Sequence, residues 1–167
     1  MLLQKNLAEI ALQLAHYIDN NTNIKSFCQE QFQKELKIYA GEVLRKTIPS
    51  VDETPYLVIR GMEKTEGLLG YAEYTSTIVV GIGSESNTFF ADYSENIKMY
   101  DGYDVLGKLV TLIQKELNKR NDGANPLRKC EVNMLGAIEP DGSHWAATMV
   151  CTWRMIQTIN TATEEEF

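Results

Sequence analysis

The chain has 167 residues, 16 Lys and Arg against 23 Asp and Glu, and a formal net charge of −7. One domain of this length buries about 70% of the surface its unfolded chain exposes, enough for a core without staples, and the acidic balance excludes a dedicated nucleic-acid binder, which needs clustered cations. No run approaches the length of a membrane span, Met1-Leu2-Leu3-Gln4-Lys5-Asn6 is too polar for a signal peptide, and three cysteines (Cys28, Cys130, Cys151) without CxxC spacing fit buried thiols in a reducing, cytoplasmic setting.

Leu2, Leu3, Leu7, Ile10, Ala11, Leu14, Tyr17 and Ile18 recur at spacings of three and four. That period predicts an amphipathic helix from residue 2 to about 19, stopped by Asp19-Asn20-Asn21. A short second helix over 26–34 and a strand over 36–44 follow. Pro49 and Pro55 bracket a turn-rich link into the strand Tyr56-Leu57-Val58-Ile59-Arg60, after which Glu63-Lys64-Thr65-Glu66-Gly67 reads as a polar connection. Tyr71 to Gly83 alternates, with Ala72, Tyr74, Ile78, Val80 and Ile82 on one face and Glu73, Thr75 and Thr77 on the other. The two strands make a hairpin whose loop, over 63–69, is long enough to reach beyond the sheet.

Residues 84–104 lack a clean period yet hold Phe89, Phe90, Tyr93, Tyr100 and Tyr103, five of the fifteen aromatic residues. A long aromatic loop suits an interface, where Phe and Tyr act as anchors, and equally a loop that folds over the sheet and fills the core with its own rings. From Tyr103 the period turns helical, with the stripe Leu106, Leu109, Val110, Ile113 and Leu117, and with Lys115, Lys119 and Arg120 near the C-terminal end where cations suit the helix dipole. Asn121-Asp122-Gly123 and Pro126 end that helix.

The last elements pair. Cys130, Val132, Met134 and Ile138 alternate with Glu131 and Asn133, and Trp145, Ala147, Met149, Cys151, Trp153 and Met155 alternate with Thr148, Thr152 and Arg154. A four-residue turn over Glu139-Pro140-Asp141-Gly142 sets Ile138 opposite Ser143, Gly136 opposite Trp145, Met134 opposite Ala147, Val132 opposite Met149 and Cys130 opposite Cys151, so both apolar faces share one side. A three-residue turn with Gly142 as a bulge residue shifts this by one and sets the tryptophan face against Glu131 and Asn133. The four-residue turn is the better solution.

The order of elements predicts an α+β fold: a mostly antiparallel sheet built from two hairpins, with an N-terminal helix and a central helix packed on one face. It occupies residues 1–160, with an acidic, frayed tail over 161–167. Charge is segregated along the chain: six basic against five acidic groups over 1–50, three against ten over 51–104, six against two over 105–129, and one against six over 130–167. Such blocks either supply complementary faces for self-association or form a solvated helix face beside acidic loops.

Signals for chemistry are sparse. Gly81-Ile82-Gly83 ends a strand as a phosphate turn does, but no third glycine follows at dinucleotide-binding spacing and Ser84-Glu85-Ser86-Asn87-Thr88 opens no apolar-periodic helix. Glu139, Asp141 and His144 contain the donor types for a divalent metal or a general base. Without HExxH or paired-His spacing, a turn aspartate, a solvent glutamate and a strand-edge histidine are the plainer reading. No GxSxG occurs, and Cys28 or Cys151 as a nucleophile would need His144 nearby in space.

The N-terminal helix, the strand with Pro55-Tyr56-Leu57-Val58-Ile59, the long-looped hairpin, the helix at 103–120 and the last hairpin with Pro140-Asp141-Gly142-Ser143-His144-Trp145-Ala146 together resemble the tail terminator, or tail completion, proteins of long-tailed bacteriophages and prophages. The resemblance implies a non-enzymatic virion protein without cofactor. It implies a homohexameric ring on the finished tail tube that stops polymerisation and offers the surface for joining the head. The implied partners are further copies of the chain, the tail tube protein and the head–tail connector protein, and the implied location is the virion tail, with assembly in the host cytoplasm. No residue roles come with the resemblance. Contact candidates are therefore the residues singled out above: Glu63, Lys64 and Glu66 in the first loop, and Phe89, Phe90, Tyr93 and Tyr100 in the aromatic segment. A neck or head-completion adaptor, and a small metal-dependent hydrolase using His144 with Asp141 and Glu139, are the alternatives.

Overall fold

The first helix begins where a side chain can close it. In a computed structural model, which describes residues 6–41, 48–66, 71–85, 89–94, 96–119 and 127–156, Asn6 has extended dihedrals and its Oδ1 accepts the Glu9 N–H at 2.9 Å, while the Glu9 carboxylate accepts the Asn6 N–H at 3.1 Å. This reciprocal cap satisfies two donors that a helix start leaves open; α1 runs Leu7–Asp19, and residues 2–5 of the expected helix lie outside the described residues. Asn21 caps α2, Thr22–Phe32, with a single bond, its side chain accepting the Ile24 N–H at 3.0 Å. That cap starts the second helix ahead of the expected 26.

The strands are β1 (Lys37–Ala40), β2 (Tyr56–Glu66), β3 (Tyr71–Gly83), β4 (Phe89–Ser94), β5 (Ile97–Tyr100), β6 (Leu127–Ala137) and β7 (His144–Ile156), and α3 spans Asp101–Lys119. Five of them form one sheet in the order β1-β2-β3-β7-β6, antiparallel throughout except that β1 runs parallel to β2. β4 and β5 form a separate two-stranded ribbon. The fold is α+β, as the order of elements predicts.

Two expected loops are strand instead. Residues 63–66 are not a connection: β2 continues through them, with Glu63 opposite Thr75, Lys64 opposite Tyr74 and Glu66 opposite Ala72. A bulge between Arg60 and Met62 makes this work, because Gly61 holds φ at +56° and adds one residue to β2. Its effect is to switch phase. Leu57 and Ile59 face the core before the bulge, and Met62 and Lys64 face that side after it. The 84–104 segment likewise contains the β4–β5 ribbon and the first turn of α3, which starts at Asp101 rather than Tyr103.

In the last hairpin Cys130↔Cys151, Val132↔Met149 and Met134↔Ala147 pair as expected, but nearer the turn the register changes to Gly136↔Ala146 and Ala137↔Trp145. Gly136, at φ +99°, carries the bulge, and the connection lengthens to five residues, with the Ile138 N–H donating to the His144 carbonyl at 2.6 Å. Ile138 therefore does not face Ser143. The glycine is needed for its conformation alone, since a Cβ there would meet nothing within 4 Å.

The helices cover one face. Ile10, Leu14 and Ile18 of α1, Ile24 and Cys28 of α2, and Leu106, Leu109, Ile113 and Leu117 of α3 pack on Leu57, Ile59, Tyr74, Ile78, Val80, Met149, Cys151 and Trp153. On the reverse face a smaller cluster of Tyr56, Val58 and Val79 sits against Ile48. Beyond it this face is half-exposed and polar, with Thr75 and Thr152 hydroxyls 3.3 Å apart and Thr77 and Thr148 alongside.

A buried carboxylate locks the helices together. Glu116 of α3 accepts from Asn21 Nδ2 at 3.0 Å, Asn23 Nδ2 at 3.1 Å and Lys119 Nζ at 3.0 Å, and its backbone carbonyl accepts the Tyr17 hydroxyl at 2.6 Å. The carboxylate thus sits at the N-terminus of α2, where the helix dipole favours it. The hydrogen bonds from Asn21, Lys119 and Asn23 pull its pKa down to about 2. A depressed carboxylate contributes stability that is present above its unfolded pKa and is lost as pH falls through the folded one. Between pH 4.5 and 2 the denaturation midpoint should fall, and the Glu116→Gln protein, measured in urea across that window, should show a shallower slope. An unchanged slope would remove Glu116 from the acid response.

Candidate interaction surface

Trp145 opens β7 on the helix side of the sheet, and the first turn of α3 rests on it. Gly102 permits this approach, because a Cβ there would lie 2.2 Å from the indole Nε1. The indole N–H donates to the Gly142 carbonyl at 2.7 Å and fixes the turn to the strand. Tyr100, closing β5, lies 5.7 Å from the Trp145 ring, and Tyr103 meets it edge-on at 6.1 Å. Both tyrosines stay about two-fifths exposed. Aromatic rings held this way present a broad surface at little further cost in side-chain entropy.

The outer strand carries further exposed apolar residues: Val132, opposite Met149, is 36% exposed, and Leu135 in the bulge and Ile138 beyond the strand end are 51% and 40% exposed. Leu135 owes its exposure to the bulge at Gly136, which adds one residue to β6 and breaks its alternation. A shallow groove of about 520 Å³ runs beside this region along α3, lined by Tyr103, Gly107, Thr111 and Leu112, with Lys108 and Lys115 on its rim.

The sequence-derived contact residues do not form one site. Glu63 projects onto the polar reverse face, opposite Thr75, while Lys64 and Glu66 lie on the helix side. Lys64 pairs with Glu66 and stands 5.9 Å from the centroid of Tyr74, and the hydrogen bond it donates to Glu66 raises its pKa. Tyr100 belongs to the other end of the sheet. Tyr74 is opposite Trp153 and Tyr100 packs on Trp145, so the two groups are roughly 27 Å apart along β7. Phe89, Phe90 and Tyr93 fall in β4, and their side chains lie outside the described residues. The acidic tail at 161–167 lies outside them as well.

The carboxylate–imidazole site does not assemble. His144 is buried on the reverse face, and its Nε2 is 2.9 Å from the Tyr56 hydroxyl. Burial holds the imidazole below its ordinary pKa, with Glu139 opposing, and burial together with Glu53 pushes the phenol up to about 12. Both groups are therefore neutral at pH 7, and in the Nδ1–H tautomer the phenol donates to Nε2. Asp141 turns inward to the hairpin, its Oδ1 accepting the Ser143 N–H at 2.9 Å, and Glu139 is exposed. No group of three metal-ligating side chains converges among the described residues.

The Gly81-Ile82-Gly83 segment also has a packing explanation. A Cβ on Gly81 would lie 2.1 Å from Tyr56 Cζ, and one on Gly83 would lie 2.7 Å from Thr54 Oγ1. These glycines let the Tyr56 ring and the Thr54 side chain lie on the strand. Beyond Gly83 a cleft of about 520 Å³ opens between the end of β3, the first turn of α3 and the end of α2, lined by Ser84, Gly102, Val105, Phe32 and Lys34.

No helix among the described residues is long and apolar enough to cross a membrane. No protein-family model matches the chain, and no curated protein matches it in sequence.

Proposed function

We propose that the chain is a structural assembly protein of the tail-terminator kind, which closes into a ring on the end of a tail tube, halts its growth and presents the surface for head joining. The observation that carries this reading is the outer strand β6. It is eleven residues long, forms the rim of the sheet, and exposes Val132, Leu135 and, just beyond it, Ile138. An edge strand with exposed apolar residues among its charged ones can pair with another chain, and its exposed side chains are accounted for when another chain covers it. The order of helices and hairpins and the segregated charge support the same reading. In a ring each copy uses two different surfaces, so the β6 edge of one protomer meets another face of the next.

Native mass measured in dilute and concentrated solution tests the ring. A closed six-subunit species is expected, and a strict monomer at both concentrations would sink the proposal. Replacing Leu135 and Ile138 together by Lys should shift the mass to monomers. Both residues are exposed, so the circular dichroism and the thermal midpoint of the variant should change little, by about 0.5 kcal/mol per site or less.

A further inference from the structure

Cys130 of β6 and Cys151 of β7 stand directly opposite each other. Opposed positions of an antiparallel pair have Cα atoms roughly 4.5–5.5 Å apart, inside the span that a disulfide bridges. The two Sγ atoms already touch at 3.3 Å, and both cysteines are free thiols. Their surroundings differ. Cys151 is fully buried on the core side, whereas Cys130 is half-buried on the rim strand and open to a reagent from solution. Gln114 of α3 holds the register by donating from Nε2 to the Cys130 carbonyl at 3.0 Å.

We propose that this pair is an oxidation site: small disulfides of the glutathione class convert it into an intramolecular cross-strand disulfide that staples the rim strand β6 to β7. The inference does not depend on the assembly reading. In the first step the Cys130 thiolate attacks one sulfur of the small disulfide and expels the other half as a thiolate. Cys151 then surrenders its proton to that thiolate and attacks the Cys130 sulfur, expelling the second half, which takes up the proton Cys130 had lost. One S–S bond breaks and one forms, and the two electrons and two hydrogens lost by the chain leave as two small thiols. The order of attack follows from the contact itself. The Cys151 S–H directed at Cys130 favours the Cys130 thiolate and holds that thiol below its ordinary range, while the same contact and burial push Cys151 up. Cys28 is fully buried, with its thiol pushed up by burial to about 11, and stays out of the exchange.

The test is incubation of the full chain with oxidised glutathione, followed by alkylation in denaturant, intact mass and peptide mapping. Two of the three thiols should be protected, a Cys130–Cys151 peptide pair should appear without a glutathione adduct, and the thermal midpoint should rise by roughly 5–10 °C until dithiothreitol reverses it. The Cys130→Ser protein should show neither protection nor rise. A persistent glutathione adduct on Cys130, a chain-to-chain dimer through Cys130, three fully reactive thiols, or an unchanged midpoint in the bridged protein would each overturn the proposal.

Discussion

Replacing Gly81 by Ala should cost about 3–4 kcal/mol, a large share of the stability of an ordinary domain. The new methyl would sit 2.1 Å from Tyr56 Cζ, 2.4 Å from its hydroxyl and 2.5 Å from Cε1. Neither partner can step aside. Gly81 is held on both sides, by Tyr56 of β2 and Ala146 of β7, and Tyr56 is fully buried with its hydroxyl bound to His144. Relief requires the ring to leave its site, which gives up its burial and strands the buried imidazole. Thermal unfolding should show a drop of roughly 10 °C. Tyr56→Leu removes the atoms that collide, so in that background Gly81→Ala should cost under about 1 kcal/mol. Additive losses in this cycle would show that the cost lies elsewhere than in the ring.

Gly102→Ala should be the second most damaging of the small changes, at about 2 kcal/mol. Helix propensity alone predicts the opposite, since alanine is favoured over glycine by up to about 1 kcal/mol inside a helix and less in the first turn. The collision outweighs it. A Cβ at 102 would lie 2.2 Å from Trp145 Nε1 and 2.3 Å from Cδ1, forcing the indole off the Gly142 carbonyl and lifting the start of α3 from the sheet. Overpacking of this kind costs about 1–3 kcal/mol, and the lost hydrogen bond about 1 more. Urea denaturation and tryptophan emission together check the account, with lower stability and red-shifted emission expected. A variant as stable as the parent with unchanged emission would contradict it.

Much of the fold can be read from periodicity, because burial on one side of a helix or strand leaves a regular imprint. The stripe from Leu106 to Leu117, the alternation of β3 and the pairs Cys130↔Cys151 through Met134↔Ala147 are of that kind. The misreadings fall where burial is weak or one residue changes the count. Residues 63–66 are exposed or half-buried at a strand end and imprint no alternation, so their polarity reads as a loop. Gly61 and Gly136 look like any other glycine in sequence, yet each shifts the register that follows. The caps at Asn6 and Asn21 were legible in principle. Asn6-x-x-Glu9 is a capping-box pattern, and the longer apolar period running on to Leu2 and Leu3 masks it.

The surface was less legible than the fold. Aromatic content drew attention to Tyr100, whose ring is about two-fifths exposed, but its support by Trp145 and Gly102 arises from chain segments more than forty positions apart. Leu135 and Ile138 carry no signal of exposure, since in an unbroken alternation Ile138 belongs to the core face. The bulge and the rim position of β6 decide otherwise. His144, whose plainer reading in sequence is a strand-edge histidine, is a packing partner of Tyr56 in the structure.

The lock between Glu116 and the start of α2 also bears on the order in which the chain folds. Its hydrogen bonds join positions 95 and 93 residues apart, and the Thr75–Thr152 contact across the seam of β3 and β7 joins positions 77 apart. The β2–β3 and β6–β7 hairpins, by contrast, pair strands that follow one another within a few residues of sequence. Loop-closure entropy must be met before distant contacts reward it. The hairpins are therefore the local units of this chain, and the central seam and the helix lock are the late events that turn them into one sheet with one helical layer.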